Sequence, residues 1–332
     1  MFKRSKMFAS VALATALVLT GCGASNEGGG DDSEAAPKTD ASDSKWADCD
    51  MNEGVADTSS VDQGVDKEIS IAAFNGWDES FATAHLLKAV LEQDGFTVTI
   101  KALDAGPAYT AVAQGDVDLL TDGWLPITHD SYLNDYGDKL ESLGCWYDNA
   151  KLTIAVNDDS PAQSLDDLKD MGDEYGNTII GIEAGAGLTK QTKDSMIPAY
   201  GLEDWTFTTS STPAMLAAIK KSQSDGDNIV VTLWRPHWAY AAFPMRDLED
   251  PKGAMGGAEF IYSFATKGFE SEHPYAGQLV KNLIINDDRL ASLENVMFGA
   301  DNFNGTDNDA AVAQWLGENQ DFVEEWKAGT LS

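Results

Sequence analysis

The body of this 332-residue chain alternates short apolar runs with longer segments that carry an apolar stripe at helical spacing. The run at 68–74 predicts a buried strand, and residues 78–94 predict a helix that ends at Gly95. Further strands are predicted at 97–103, 117–121, 151–156, 178–182 and 229–233, and helices at 107–114, 187–200 and 212–222. From residue 272 the pattern is mostly helical, with Trp315, Phe322 and Trp326 assigned to one last helix. Repeated strand–helix units favour an α/β fold with parallel sheets covered by helices.

The N-terminal segment has the pattern of a secretory signal. Three basic residues, Lys3, Arg4 and Lys6, precede an apolar run at 7–19 that is too short to span a bilayer of about 30 Å. Cys22 follows this run closely, an arrangement that resembles the lipobox of bacterial lipoproteins, in which the cysteine receives a diacylglyceryl group. We therefore predict a signal peptide at 1–21 and an extracytoplasmic protein anchored by lipid on Cys22 to the bacterial cell membrane. An ordinary signal peptide with an incidental cysteine is the alternative.

The segment after Cys22 is polar and acidic. Residues 23–45 contain no large apolar side chain and are rich in Gly, Ser, Asp and Ala, so we assign 22–64 to the lipidated cysteine and a flexible linker. The whole chain has 55 acidic and 22 basic residues, a net charge of −33. Such a surface repels phosphates, which argues against nucleic-acid binding.

Cysteine and histidine usage narrows the chemistry further. Besides Cys22, only Cys49 and Cys145 remain, an even pair in an oxidising compartment, and we predict a disulfide between them, with two free thiols as the alternative. The four histidines are scattered, at 85, 129, 237 and 273, and form no metal-binding motif. We therefore predict no metal and no cofactor.

Three tryptophans, Trp77, Trp124 and Trp234, follow predicted strands. Ligands of open α/β sheets bind at the carboxyl ends of the strands. Each tryptophan alone is explained as well by capping the core, but three on comparable loops favour a common site. Indole faces attract a cation that has no N–H to donate, so the pattern predicts an aromatic cage for a methylated ammonium.

Several motifs resemble the glycine betaine-binding proteins of ABC importers, an osmoprotectant family. These are GWDES, LDAGPAYTAVAQGDVDL, DGWLPITHDSYLNDYGDKLESLG, GIEAGAGL and VVTLWRPHW, within residues 67–265. The resemblance implies a two-lobe, periplasmic-binding-protein-like fold of type II with the ligand in the cleft between the lobes. It also implies roles for six residues: a trimethylammonium cage of Trp77, Trp124 and Trp234, and a carboxylate site of His129 with the backbone N–H groups of Gly187 and Leu188.

We expect lobe 1 to comprise 65–150 and 262–332, and lobe 2 to comprise 151–261, with two crossings near 151–156 and 255–265. The expected function is capture of glycine betaine and its delivery, by a monomer, to a separate ABC permease with its ATPase. Choline, carnitine, proline betaine and dimethylsulfoniopropionate are alternative ligands. Leu233 and Arg235 depart from the family pattern and leave this choice open, whereas His237 and Trp238 are interpreted as support for the pocket.

Two other classes of function were weighed. An enzyme acting on a betaine-like substrate is disfavoured because the chain has no GxSxG, HExxH, Walker or complete dinucleotide motif. Adjacent acids such as Asp78-Glu79 and Asp166-Asp167 are interpreted as solvated surface. A ligand-sensing domain of a receptor is the remaining alternative, since the sequence pattern itself shows only a binding module.

Overall fold

A computed structural model describes residues 44–332. The predicted signal peptide, Cys22 and the predicted linker up to residue 43 lie outside this range. The expectation of a flexible linker is wrong for residues 44–64, because Trp46 packs against the core and the backbone of Ala56 is hydrogen-bonded to Asn282. The nine strands found within it form one mixed sheet, in the order β2-β1-β3-β9-β4-β7-β5-β6, with β8 paired to β4. The strands are β1 Glu68–Phe74, β2 Thr97–Leu103, β3 Leu119–Leu125, β4 Leu140–Asn157, β5 Thr178–Ile180, β6 Thr206–Thr208, β7 Val230–Arg235, β8 Met245–Asp247 and β9 Glu259–Thr266.

Helices cover the sheet. They are α1 Asp78–Gln93, α2 Ala105–Gln114, α3 Asp130–Tyr136, α4 Gly187–Gln191, α5 Ile197–Tyr200, α6 Thr212–Asp225, α7 Ala239–Ala242, α8 Phe269–Glu272, α9 Pro274–Lys281, α10 Asp287–Phe298, α11 Asn308–Glu318 and α12 Gln320–Ala328. A π-helical turn at Thr192–Met196 joins α4 to α5. Short 3₁₀ turns, such as Leu165–Asp170, fill several connections.

Strand β4 divides the sheet into two halves. Up to Ala150 it pairs with β9, and from Lys151 to Val156 it pairs with β7. The first half therefore contains β1, β2, β3, β9 and the start of β4, and the second half contains the end of β4 with β5 to β8. The chain leaves the first half through β4 and returns to it between β8 and β9.

The predicted strands at 68–74 and 97–103 coincide with β1 and β2. The expectation of parallel sheets holds for the pairs that β1 forms with β2 and β3 and that β5 forms with β6 and β7, but not for the centre of the sheet. Strand β9 is antiparallel to both β3 and β4, and β4 is antiparallel to β7. The predicted strand at 151–156 is only the end of the 18-residue β4. Register shifts between Ser142 and Ala150 interrupt the alternation of side chains in its first part, which is why the sequence pattern does not reveal it.

The C-terminal helices pack on the first half, where α10 and α11 contact α1. The assignment of three aromatic residues to one last helix is wrong for Trp315, which lies on α11, while Phe322 and Trp326 lie on α12. Asn319 separates the two helices because it ends α11 and begins α12 in a non-helical conformation. All three side chains are fully buried, and Trp326 Nε1 donates a hydrogen bond to the carbonyl of Leu279.

A disulfide links Cys49, in the segment before β1, to Cys145 on β4. The Cα atoms of the two residues are 6.5 Å apart and lie 96 positions apart in the sequence. Cys145 is buried and Cys49 packs against the core. The bridge therefore fastens the N-terminal segment to the first half of the sheet.

Candidate ligand-binding site

A small cavity of about 240 Å³ lies between the two halves of the sheet. Its small size suits a ligand of few atoms. The three predicted tryptophans meet here. The lining residues are Trp77, Glu79, Trp124, Thr128, Leu152, Ile182, Leu188 and Trp234.

Each tryptophan is held at the end of a strand. Trp77 follows β1 and directly precedes α1, whereas Trp124 and Trp234 are the penultimate residues of β3 and β7. All three are at most 7% exposed. The ring centroids of Trp77 and Trp234 lie 6.2 Å apart with their planes at 50°, so indoles from both halves of the sheet face one small space.

The indole N–H group of each cage tryptophan is directed at a carboxylate. Trp124 Nε1 donates to Asp122 Oδ1 at 2.8 Å, and Trp234 Nε1 donates to Glu79 Oε2 at 3.0 Å. Trp77 Nε1 lies 3.5 Å from Glu183 Oε2. These bonds fix the plane of each ring, because an indole has a single polar hydrogen and it is used in each case.

The interpretation of Asp78 and Glu79 as solvated surface residues is wrong, because both lie next to the cage. Glu79 is 1% exposed, and Asp78 accepts a hydrogen bond from Trp238 Nε1, so neither residue belongs to a solvated surface. Their adjacency suggested surface residues because the start of a helix is usually exposed. Here α1 begins at the junction of both halves, which a local sequence pattern does not reveal.

His129 lies directly behind the cage and is fully buried. Its ring stacks on Trp77, with centroids 5.6 Å apart and an interplanar angle of 6°. Its Nδ1 accepts the backbone N–H of Trp124 at 2.9 Å, which places the proton of the neutral ring on Nε2. Burial lowers the pKa of His129 to about 3, so the ring is neutral at pH 7. In the described part of the chain Nε2 has no hydrogen-bond partner, but His129 is not among the residues that line the cavity.

Gly187 and Leu188 begin α4 on the other side of the cavity. The first N–H groups of a helix have no partner within it, and the Leu188 side chain lines the cavity. A Cβ placed on Gly187 would lie 2.2 Å from the carbonyl oxygen of Thr128, so the two halves approach each other closely at this point. Nearby, Tyr132 donates its hydroxyl hydrogen to the carbonyl of Gly185 at 3.0 Å.

The positions that depart from the family pattern do not line the cavity. Arg235 Nε donates to Asp247 at 2.7 Å, and the guanidinium lies 3.6 Å from the ring centroid of Tyr240. Leu233 is buried in β7. His237 meets Trp234 edge to face at 4.5 Å, and it supports the ring from behind.

Residues 44–332 contain neither a cluster of metal-ligating side chains nor a helix that could span a membrane. No three or more histidine, cysteine, aspartate or glutamate side chains in this range are placed to hold a metal ion. None of the helices there combines the length and apolar character needed to cross a membrane.

Comparison with known proteins places this fold among the two-lobe substrate-binding proteins of ABC transporters. A lactococcal OpuAC, solved in a closed-liganded conformation complexed with glycine betaine, is 30% identical with a TM-score of 0.72, covering 79% of this chain and 99% of that chain. A glycine betaine/L-proline-binding protein, ProX, from Borrelia burgdorferi is 27% identical with a TM-score of 0.72, covering 80% of this chain and 100% of that chain. The two-lobe α/β architecture expected from the sequence is thereby confirmed.

The family comparison agrees with the structural one. Residues 67–318 match the family described as the substrate binding domain of the ABC-type glycine betaine transport system. The chain belongs to this family, which consists of transport binding domains and not of enzymes. The glycine betaine/carnitine transport binding protein GbuC of Listeria monocytogenes is 36% identical over 166 residues, 49% of this chain and 53% of that protein. The aligned segment thus spans about half the length of this curated relative.

Proposed function

We propose that this protein captures a quaternary ammonium osmoprotectant, with glycine betaine as the main ligand, and delivers it to an ABC permease. The observation that carries the proposal is the meeting of Trp77, Trp124 and Trp234 at one small cavity. A desolvated indole face contributes about 2 kcal/mol or more to binding a cation. Three faces together contribute about 6 kcal/mol, most of the roughly 8 kcal/mol that a micromolar affinity requires.

The ligand carboxylate is assigned to hydrogen-bond donors beside the cage. His129 offers Nε2–H, and Gly187 and Leu188 offer the free N–H groups at the start of α4. A carboxylate removed from water must keep its hydrogen bonds, and these donors replace those of water. A zwitterion with a methylated ammonium at one end and a carboxylate at the other matches both the tryptophan cage and these hydrogen-bond donors.

The arrangement of the chain supports a closing motion. The two halves of the sheet correspond to the expected lobes, 65–150 plus 262–332 and 151–261, except that residues 259–261 of β9 belong to lobe 1. The ligand closes the cleft between the lobes. The protein acts as an extracytoplasmic monomer, tethered to the membrane by lipid on Cys22, and docks on a separate permease with its ATPase. Support for these points comes from the family membership and from the predicted lipobox.

The choice among methylated ligands is tested by calorimetric titration. The relatives described above are named for glycine betaine, carnitine and L-proline. We expect glycine betaine to bind most tightly in a panel with carnitine, proline betaine, choline and dimethylsulfoniopropionate. Absence of saturable binding to every member of the panel would overturn the proposed function.

Removing any one cage indole should weaken binding. Trp77→Ala, Trp124→Ala and Trp234→Ala are each expected to cost about 2 kcal/mol or more, roughly thirtyfold in Kd for glycine betaine measured by calorimetry. Trp205→Ala is the control, because Trp205 is also buried in the second half but does not line the cavity. A cage variant that binds as tightly as the Trp205 variant would exclude that indole from the site.

Loss of the His129 side chain should separate ligands by their carboxylate. His129→Ala is expected to cost about 1.5–3 kcal/mol for glycine betaine, since a hydrogen bond to a charged group is lost. Choline has no carboxylate and should lose much less. Parallel titrations of both ligands check this prediction. Equal losses of affinity for the two ligands would show that His129 supports Trp77 and does not bind the carboxylate.

A further inference from the structure

Four carboxyl groups gather beside the cage. Asp78 and Glu79 open α1, Asp122 lies on β3, and Glu294 lies on α10, which packs against α1. Glu79, Asp122 and Glu294 are at most 1% exposed, and the Asp78 side chain is 14% exposed. Within residues 44–332, no lysine or arginine forms an ion pair with any of the four. We call this set the acid cluster.

The hydrogen bonds of the acid cluster are incomplete. Glu79, Asp122 and Asp78 each accept one indole N–H, from Trp234, Trp124 and Trp238. Three groups retain oxygens without a partner in the described part of the protein: Glu79 Oε1, Asp122 Oδ2 and both oxygens of Glu294. Glu79 also lines the cavity, so a buried acid with an unpaired oxygen borders the space proposed for a cation.

Ionised carboxylates are costly in such surroundings unless a positive charge compensates them. Burial raises the pKa of Asp78 and of Asp122 to about 7. Burial first, and then the charges of Asp122 and Glu294, raise the pKa of Glu79 well above its ordinary value. Burial and the charges of Asp78 and Asp122 do the same for the pKa of Glu294. Without a cation, the acid cluster therefore holds protons near neutral pH.

Neighbouring titratable groups supply no compensating charge. His237 Nε2 is 3.9 Å from Asp78, but burial lowers the pKa of His237 to about 3 and keeps it neutral. His129 is neutral for the same reason. Tyr109 on α2 stays protonated, because burial and the charge of Asp122 raise its pKa. Further along α1, Lys88 and His85 bind Asp309 on α11 instead.

We infer that the acid cluster recognises the positive charge of the ligand and that binding of the cation releases protons from the cluster. This inference rests on the proposed function. The positive charge of the ligand favours the ionised carboxylates, and each proton displaced leaves a carboxyl oxygen for the solvent. By linkage, a ligand that releases protons binds more tightly as pH rises, by up to tenfold per pH unit for each proton. A ligand of the same shape that lacks the cationic group gains nothing from this effect.

The first test is calorimetric titration of the whole protein with glycine betaine in buffers of different ionisation enthalpy. At pH 7 we expect release of about half a proton or more per ligand, as groups with a pKa near 7 are half protonated there. Kd should fall severalfold between pH 6 and pH 8. Binding with no proton release at pH 6, 7 and 8 would overturn this inference alone. Absence of binding would overturn the proposed function instead.

Three variants test which carboxyl groups of the acid cluster release protons when the ligand binds. Glu79→Gln keeps an oxygen for the N–H of Trp234 but cannot ionise, so it should bind at least tenfold more weakly at pH 8 and almost like the natural protein at pH 5.5. Glu294 does not line the cavity, so Glu294→Gln should reduce the proton release without removing a contact to the ligand. Glu203→Gln, the same change at an exposed position, is the control and should behave like the natural protein. If Glu79→Gln loses the same affinity for glycine betaine at both pH values, Glu79 has a structural role and its charge does not contribute to recognition of the ligand.

Discussion

Gly187→Ala should weaken glycine betaine binding more than a hundredfold. The added Cβ would lie 2.2 Å from the carbonyl oxygen of Thr128, and main-chain atoms of two packed segments cannot move aside cheaply. Overpacking of this kind costs about 3 kcal/mol, which corresponds to the stated change in Kd. The clash arises only when the halves meet, so the variant should fold normally and remain open. Calorimetry gives the affinity, and small-angle scattering with saturating ligand gives the dimensions.

Gly185→Ala is the matched control for this experiment. Gly185 lies two residues earlier in the same loop, and a Cβ there meets no atom within 4 Å. Its affinity should stay within about threefold of the natural protein, a difference below 1 kcal/mol. If Gly187→Ala binds like Gly185→Ala, the close approach between Gly187 and Thr128 has no part in the bound state.

Removing the disulfide should cost about 4–5 kcal/mol of unfolding free energy. The bridge between Cys49 and Cys145 closes a loop of 96 positions, and in the chain-entropy model a loop of this length restricts the unfolded state by that amount. The double variant Cys49→Ser/Cys145→Ser should therefore unfold at a clearly lower urea concentration. Its affinity should not change, since neither cysteine lines the cavity.

Reduction of the natural protein serves as the control for the disulfide. The reduced natural protein and the double serine variant should have the same urea midpoint, and mass spectrometry should find the bridge only in the untreated protein. A double variant as stable as the oxidised protein, with an unchanged m value, would contradict the expected stabilisation.

The sequence predicted those elements whose side-chain pattern is local. Strands β1 and β2 alternate or are continuously apolar, and helix α1 has a clear stripe, so their bounds were read within about one residue. The three tryptophans were found because each ends a strand motif. Strand β4 was seen only in part, since its first portion pairs irregularly with β9, a partner more than 100 positions away in the sequence.

The acids behind the cage show the limit of sequence reasoning more clearly. Asp78 and Glu79 have the composition of an exposed helix start, and only the docking of β7 and α10 from distant parts of the chain buries them. Nothing in the adjacent residues signals that burial. One feature of the sequence could have predicted this burial. Acids lie next to cage tryptophans in GWDES and TDGW, and a buried indole N–H group needs a hydrogen-bond acceptor.

The continuous strand β4 restricts how the cleft can open. Its backbone is hydrogen-bonded to β9 up to Ala150 and to β7 from Lys151, so no free linker lies between the halves on this side. Relative motion must be absorbed by torsion of the few peptide units around this point and in the segment between β8 and β9. For the proposed closing motion, we expect such a pair of connections to favour rotation about one axis over sliding. The three indoles should then return to the same geometry each time the cleft closes.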